Sequence, residues 1–250
     1  MKKRSTTALI AAMVVVAAGF FASFFLSLSN QDPEHVIMLP GQGSAVIDTN
    51  PAIQEGNRQL IQTISVDTTN IQSVIASLER PQSYQCHSEL TYFYRDTQST
   101  VHNQLWKQDG LARVSQLAAD GTAGEQALIT QTYVYLWRGD EAYVRFPVQE
   151  HDDDLYSLAP TYEDILQLDA AHILVGEVRE VDGQMCLYVE SRDPLTGEQE
   201  TWYVLVENGL LLYADGSLEG VPTYTFHLTE LRLEASEESV FLLPDGTKPQ

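Results

Sequence analysis

Cysteine and positive charge are what this 250-residue chain has least of: it carries two cysteines and 14 lysines and arginines. Cys86 and Cys186 stand too far apart for a C-x-x-C redox pair, and no further cysteine exists to complete a zinc site. No cysteine lies near the N-terminal apolar run, which excludes a lipid-modified N-terminal cysteine. Against the 14 bases stand 35 acids, a net charge of −21. Such a surface repels phosphate backbones and anionic head groups, so nucleic acid is excluded as a partner and any hold on a membrane must be apolar.

Catalytic signatures are missing too. There is no G-x-S-x-G nucleophile turn, no G-x-x-x-x-G-K phosphate loop and no G-x-G-x-x-G fingerprint. The histidines are scattered, without an i, i+4 pair, and His87, His102, His172 and His227 read as ordinary sheet or surface positions. The acidic loop Glu150–Asp154 is the best cation candidate. It lacks the alternating carboxylate ladder that aims several oxygens at one ion, so it reads as a solvated charge run. No enzyme activity, metal or cofactor is expected.

What the chain does have is a long uncharged run. Ala8–Leu28 follows Lys2, Lys3 and Arg4 and as a helix would reach roughly 30 Å, the thickness of a hydrocarbon core. The basic flank keeps the N-terminus in the cytoplasm and sends the remainder across. A signal peptide cut near Ser27-Leu28-Ser29 is the alternative reading. The anchor is favoured because the run exceeds a signal core of about 7 to 15 residues and Phe20, Phe21, Phe24 and Phe25 keep its second half bulky. The expected plan is a cytoplasmic tail at 1–7, a transmembrane signal anchor at 8–28, a flexible tether at 29–65 and one extracytoplasmic domain at 66–250. Location at the cell membrane, single-pass, follows from that plan. With the three N-terminal bases set aside, 11 bases face 35 acids on the exported part, a net of −24.

In the tether Pro33, Pro40, Gly41, Gly43, Pro51 and Gly56 break every apolar group. Only Ile53, Leu60, Ile61 and Ile64 recur at a loose helical spacing, a weak helix within 52–64. A stronger helix starts at Asp67-Thr68-Thr69, carries Ile71, Val74, Ile75 and Leu78 on one stripe for about three turns, and stops at Pro81. Strand-like segments then follow in two runs, Tyr84–Phe146 and Ile173–Leu233, joined by short turns such as Asp109-Gly110, Asp182-Gly183 and Asn208-Gly209. Such turns force antiparallel neighbours and give about 11 strands. Between the runs sits an insert, 150–168, with an apolar side that includes Leu155, Tyr156, Tyr162 and Ile165 and a Thr161–Asp164 capping pair opening a short helix.

By period-two alternation Tyr84, Cys86, Leu90, Tyr92 and Tyr94 share one face of the first strand; Tyr133, Tyr135 and Trp137 repeat the pattern, as do Trp202, Val204 and Val206. One helical stripe has too little area to fill the concave side of so many strands, so an apolar hollow is expected there. Its candidate lining is Ile71, Val74, Ile75, Leu78, Leu90, Tyr92, Tyr135, Trp137, Tyr156 and Tyr162. In an oxidising compartment Cys86 and Cys186 are equally compatible with one disulfide and with two buried thiols.

The order of helix, meander, apolar insert and further hairpins resembles the lipoprotein-carrier superfamily of LolA-like and RseB-like domains. Ile71–Pro81 (IQSVIASLERP) is similar to their first helix, Leu105–Arg113 (LWKQDGLAR) to their second hairpin, and Thr201–Leu211 (TWYVLVENGLL) with Val240–Pro244 (VFLLP) to their closing hairpin and terminal F-x-x-P. The similarity covers residues 67–246. The helix phrase and Pro160–Leu166 (PTYEDIL) also resemble a group of membrane-anchored proteins of Clostridia. The resemblance implies a mainly β (α+β) fold, a curled antiparallel sheet forming an unclosed half-barrel with one long helix on its concave side. It further implies a lipid or an acylated protein as ligand. A tethered chain does not shuttle, so the expected role is a fixed extracytoplasmic module that holds or senses such a ligand. The alternative is an envelope sensor that docks a protein partner through its sheet edge or the 150–168 insert.

Overall fold

The computed structural model describes residues 50–95, 97–118, 120–139, 141–148 and 160–250. The expectations about Ala8–Leu28, the Glu150–Asp154 loop and Tyr156 fall outside them. Among the described residues no helix is long and apolar enough to cross a membrane.

All the strands join one antiparallel sheet. They are β1 (Ser83–Tyr94), β2 (Thr97–Gln108), β3 (Leu111–Leu117), β4 (Ala123–Ile129), β5 (Tyr133–Arg138), β6 (Val144–Pro147), β7 (Ile173–Val181), β8 (Gln184–Arg192), β9 (Glu198–Leu205), β10 (Leu211–Leu218) and β11 (Val221–Arg232). Their spatial order is β6-β5-β4-β3-β2-β1-β11-β10-β9-β8-β7. Two meanders are thus fused where β11 pairs with β1, and among the described residues β6 and β7 are the edges of the sheet. The sheet does not close. β6 and β7, consecutive among the described strands, lie at opposite edges of the sheet. The apolar insert lies between them in sequence.

The turns explain the meander. Asp109 and Gly110 have φ of 51° and 81°, and Asp182 and Gly183 have 49° and 78°. Two successive positive φ values define the hairpin turn whose twist matches the strands, and aspartate and glycine tolerate them best. Asn208-Gly209 behaves differently: the Gly209 amide bonds the Leu205 carbonyl at 2.8 Å, and the Asn208 side chain accepts from the Leu210 amide at 3.0 Å. Only Gly209 is left-handed there, at φ 68°.

Among the described residues three short α-helices accompany the sheet: α1 (Pro51–Thr63), α2 (Ile71–Ser77) and α3 (Tyr162–Gln167). Among the described residues the expected single long helix on the concave side is not present. Pro81 disfavours helical backbone at Arg80, and the Arg80 guanidinium takes the Ile75 and Leu78 carbonyls, at 2.6 and 2.9 Å, that a further turn would have bonded. The stripe residues Ile71, Val74, Ile75 and Leu78 are nevertheless all buried. Each contributes about 1.5 to 3 kcal/mol of burial, far more than seven residues of helix propensity. Gly176 on β7 permits the approach: a Cβ there would stand 3.0 Å from that of Ile71.

The weak helical spacing in 52–64 is realised as α1, which lies inside the span expected to be tether. Asn50 caps it and Pro51 occupies its first turn. Asn57, 2% exposed, accepts from the Glu79 amide and donates to the Glu79 carbonyl at 2.8 and 3.0 Å. Gln54 and Arg58 both donate to Glu207 Oε1, at 2.6 and 2.5 Å. Ile61 joins the main core.

That core is the inner face of the sheet with α2, α3 and α1 over it. On the outer face Tyr188, Tyr203 and Tyr213 pack ring against ring across β8, β9 and β10, tilted in the first pair and T-shaped in the second, while Phe241 and Leu243 of the C-terminal segment bury Leu128, Tyr135 and Trp137.

Candidate functional site

α2 fills only half of the inner face. Its stripe packs on Leu187 and Val189 of β8 and Trp202 and Val204 of β9, with Ile165 of α3 beside it. Over the other half lies a cavity of about 300 Å³. Its wall takes Val134 from β5, Ile129 from β4, Ala112 and Val114 from β3, Leu105 and Lys107 from β2, Tyr84 and Cys86 from β1, Phe226 and Leu228 from β11 and Leu211 from β10. These are seven neighbouring strands. Laid flat they would span about 29 Å at the usual strand spacing, so a shared cavity of this size requires the sheet to curl around it.

The rim is built by the start of α3. Pro160, Thr161, Tyr162 and Glu163 line the cavity from the side opposite the strands. A reciprocal cap fixes this turn: Asp164 Oδ2 accepts from the Thr161 amide at 2.6 Å and Thr161 Oγ1 from the Glu163 amide at 3.2 Å. Gln72 of α2 donates to the Ile165 and Leu168 carbonyls, both at 2.9 Å, and ties α3 to the packed half of the face. Arg80 completes the rim. Its guanidinium lies 3.6 Å from the centre of the Tyr162 ring and donates to the Gly209 carbonyl at 3.0 Å. Burial pulls its pKa down, and Tyr162 and Glu163 beside it act in the opposite direction.

The lining is mostly apolar and mostly neutral. Burial pushes the Cys86 thiol up to about 12 and the Tyr84 hydroxyl above its usual range, so both keep their protons at neutral pH. Lys107 and Glu163 are the charged residues in the lining. Glu163 Oε1 accepts from the Tyr162 hydroxyl at 2.9 Å. Nearby on the same face Glu200 accepts from the Tyr224 hydroxyl at 2.9 Å; burial raises its pKa to about 7, and the charges of Glu198, Asp164 and Asp193 add to that.

Tyr162 lies in the cavity lining, whereas Ile71, Val74, Ile75, Leu78 and Leu90 are packed core beside it. Tyr92 is 51% exposed on β1. Tyr135 and Trp137 lie on the outer face, because β5 turns Val134 inward and its odd-numbered aromatics toward Phe241. Lys107 and the small inner residues of β3 were not among the candidates. Alternation does place Lys107 with Leu105 and opposite Tyr84, but a lysine two positions before a turn reads as an ordinary strand end.

Cys86 and Cys186 form no disulfide; both are free and buried. β1 and β8 stand four strands apart, about 19 Å along the sheet. The thiols also face opposite ways, Cys86 into the inner core and Cys186 into the outer tyrosine cluster. Among the described residues no group of three or more His, Cys, Asp or Glu side chains is placed to hold a metal ion.

No family model matches the chain, and no curated protein does. Among solved structures it is similar to a conserved protein from Thermus thermophilus, with a TM-score of 0.44 and 11% identity over 78% of this chain and 98% of that one. A LolA superfamily protein from Nitrosomonas europaea gives 0.37 and 10%, over 70% and 97%. A domain from Vibrio parahaemolyticus described as an outer membrane lipoprotein-sorting protein gives 0.33 and 12%, over 68% and 92%. At such scores the overlap settles nothing about role, and the cavity itself has to supply the functional reading.

Proposed function

We propose that this chain is a membrane-anchored extracytoplasmic binding module that holds or senses a lipid or the acyl chain of an acylated protein on the inner face of its sheet. The cavity carries the reading. Its 300 Å³ falls at the lower end of small-ligand sites, and its composition, an apolar wall with a few polar groups, is that of a site for an apolar molecule. The wall belongs to strands held in register on both sides and the rim to a capped helix, so the space is pre-formed. Among the described residues of the lining there is no histidine, and the Cys86 thiol is protonated. The anchor, expected at 8–28, would fix this module to the membrane.

The test is extraction and rebinding. The full-length chain is purified, its bound molecules are extracted into organic solvent and identified by mass spectrometry, and the stripped protein is offered membrane lipid. A stoichiometric apolar molecule that rebinds supports the reading; an empty protein that takes up nothing counts against it.

The docking alternative draws on β6, an edge strand whose residues are all exposed, Val144 at 53%. Unpaired edges of this kind accept an added strand. A specific envelope protein recovered on the wild type and lost with Val144→Lys would favour it.

A further inference from the structure

The cavity contains one charge that the chain does not answer. Lys107 extends from β2 into the lining, yet among the described residues it has no ion-pair or hydrogen-bond partner. Its cross-strand neighbour is Tyr84. Tyr84 also lines the cavity, and its hydroxyl has no hydrogen-bond partner among the described residues. A tyrosine and a lysine at paired positions of β1 and β2 therefore both contribute to the lining.

Glu163 is the opposing charge. It accepts from the Tyr162 hydroxyl and lies within the field of Arg80, whose guanidinium stacks on the Tyr162 ring. Its charge is thereby answered within the rim. Among the described residues, Arg80, Glu163 and Lys107 together leave the cavity end with one positive charge to spare. Lys107 is half-buried beside apolar surface, and solvent alone supplies no specificity there.

We propose that the cavity takes a single-chain amphiphile with an anionic head group, the chain against Leu105, Val114, Phe226 and Leu228 and the head paired with Lys107 and the Tyr84 hydroxyl. This rests on the binding role proposed above and adds the ligand's charge. Carboxylate and phosphate heads share the required chemistry: both are anionic, and both accept more than one hydrogen bond.

Three probes of equal chain length separate the terms: dodecanoate, dodecyl phosphate and dodecanol, titrated at about pH 8, where carboxylates and phosphates are ionised, against the full-length chain kept in solution by an amphipol. The anions should bind about tenfold or more tightly than the alcohol, the expected size of one charge-assisted hydrogen bond. Whichever anion binds more tightly identifies the head group. Lys107→Met should bring the anions down to the level of the alcohol and leave the alcohol unchanged, whereas Lys107→Arg should keep the preference. Dodecanol binding as well as the anions to the wild type would overturn the charge assignment and spare the cavity. Equal loss of all three probes in Lys107→Met, with Lys107→Arg failing alike, would overturn it too. Failure of every probe on the wild type would overturn both.

Discussion

The Arg80 guanidinium lies over the Tyr162 ring, 3.6 Å from its centre, and this contact joins the end of α2 to the start of α3 at the edge of the cavity. The same guanidinium donates to the carbonyls of Ile75, Leu78 and Gly209. One side chain therefore closes a helix, holds a hairpin and positions the rim.

Arg80→Ala strands those carbonyls and removes the stack. It is expected to destabilise the domain by about 2 to 4 kcal/mol, the range for breaking a buried charged network. Arg80→Lys recovers only part of this, since a point ammonium cannot span three acceptors. Urea unfolding of the three proteins gives the comparison.

Gly209 and Gly183 separate two effects of glycine. Both have positive φ, but a Cβ at Gly209 would stand 2.9 Å from Arg80 Cγ, while one at Gly183 meets nothing within 4 Å. Gly183→Ala should lose about 1 kcal/mol, the left-handed penalty. Gly209→Ala should lose clearly more, because Arg80 must move as well. Midpoints of thermal unfolding will rank them.

The sheet was legible in the sequence because alternation and turn chemistry are local signals. Asp109-Gly110 and Asp182-Gly183 fixed two hairpins, and β3 and β7 begin and end where the apolar pattern does. The helices were less legible. α2 ends at Ser77, short of Pro81, because Arg80 turns back onto its last carbonyls while Tyr162 and Gly209, remote in sequence, hold the guanidinium there. α1 is held by Asn57 and Glu207, whose partners are remote in sequence. The lining shows the same limit. Alternation groups Tyr133, Tyr135 and Trp137 on one face but says nothing about which face is hollow, and the C-terminal Phe241 and Leu243 decide it by covering that one. The cysteines follow suit, since only the strand order shows them far apart.

Glu200 gives the fold a definite pH dependence. Burial raises its pKa to about 7, above the value near 4.3 of an exposed glutamate. Between these two values the unfolded chain has lost the proton and the folded chain keeps it, so the unfolded state binds fewer protons and stability falls as pH rises. This contribution is fully present below about pH 4 and lost by about pH 7. Asp215, raised by burial, acts in the same direction; Asp67, Asp193 and Asp245, lowered mainly by hydrogen bonds from nearby amides and hydroxyls, act in the opposite one. Glu200→Gln isolates the single group. Its stability relative to the wild type should rise from about pH 4.5 to pH 7 and level off above.

Both thiols should titrate with a thiol reagent in denaturant without reductant, and neither should react readily in the folded protein. Both pKa values are pushed up to about 12, chiefly by burial, which leaves almost no thiolate at neutral pH. Of the two only Cys86 lines the cavity. A bound amphiphile should therefore slow its residual alkylation and leave Cys186 unaffected, as peptide mapping by mass spectrometry would show.

The central claim is that the hollow over β1–β5 and β10–β11 is a binding site. Ala112 lines it with the smallest side chain of the wall, so Ala112→Phe fills the space from within. Titration of dodecanoate into the wild type and Ala112→Phe, with unfolding followed in parallel, is the most direct measurement. The account predicts saturable binding to the wild type, at least tenfold weaker binding to Ala112→Phe, and a filled variant that remains folded. Equal binding to both proteins would contradict it.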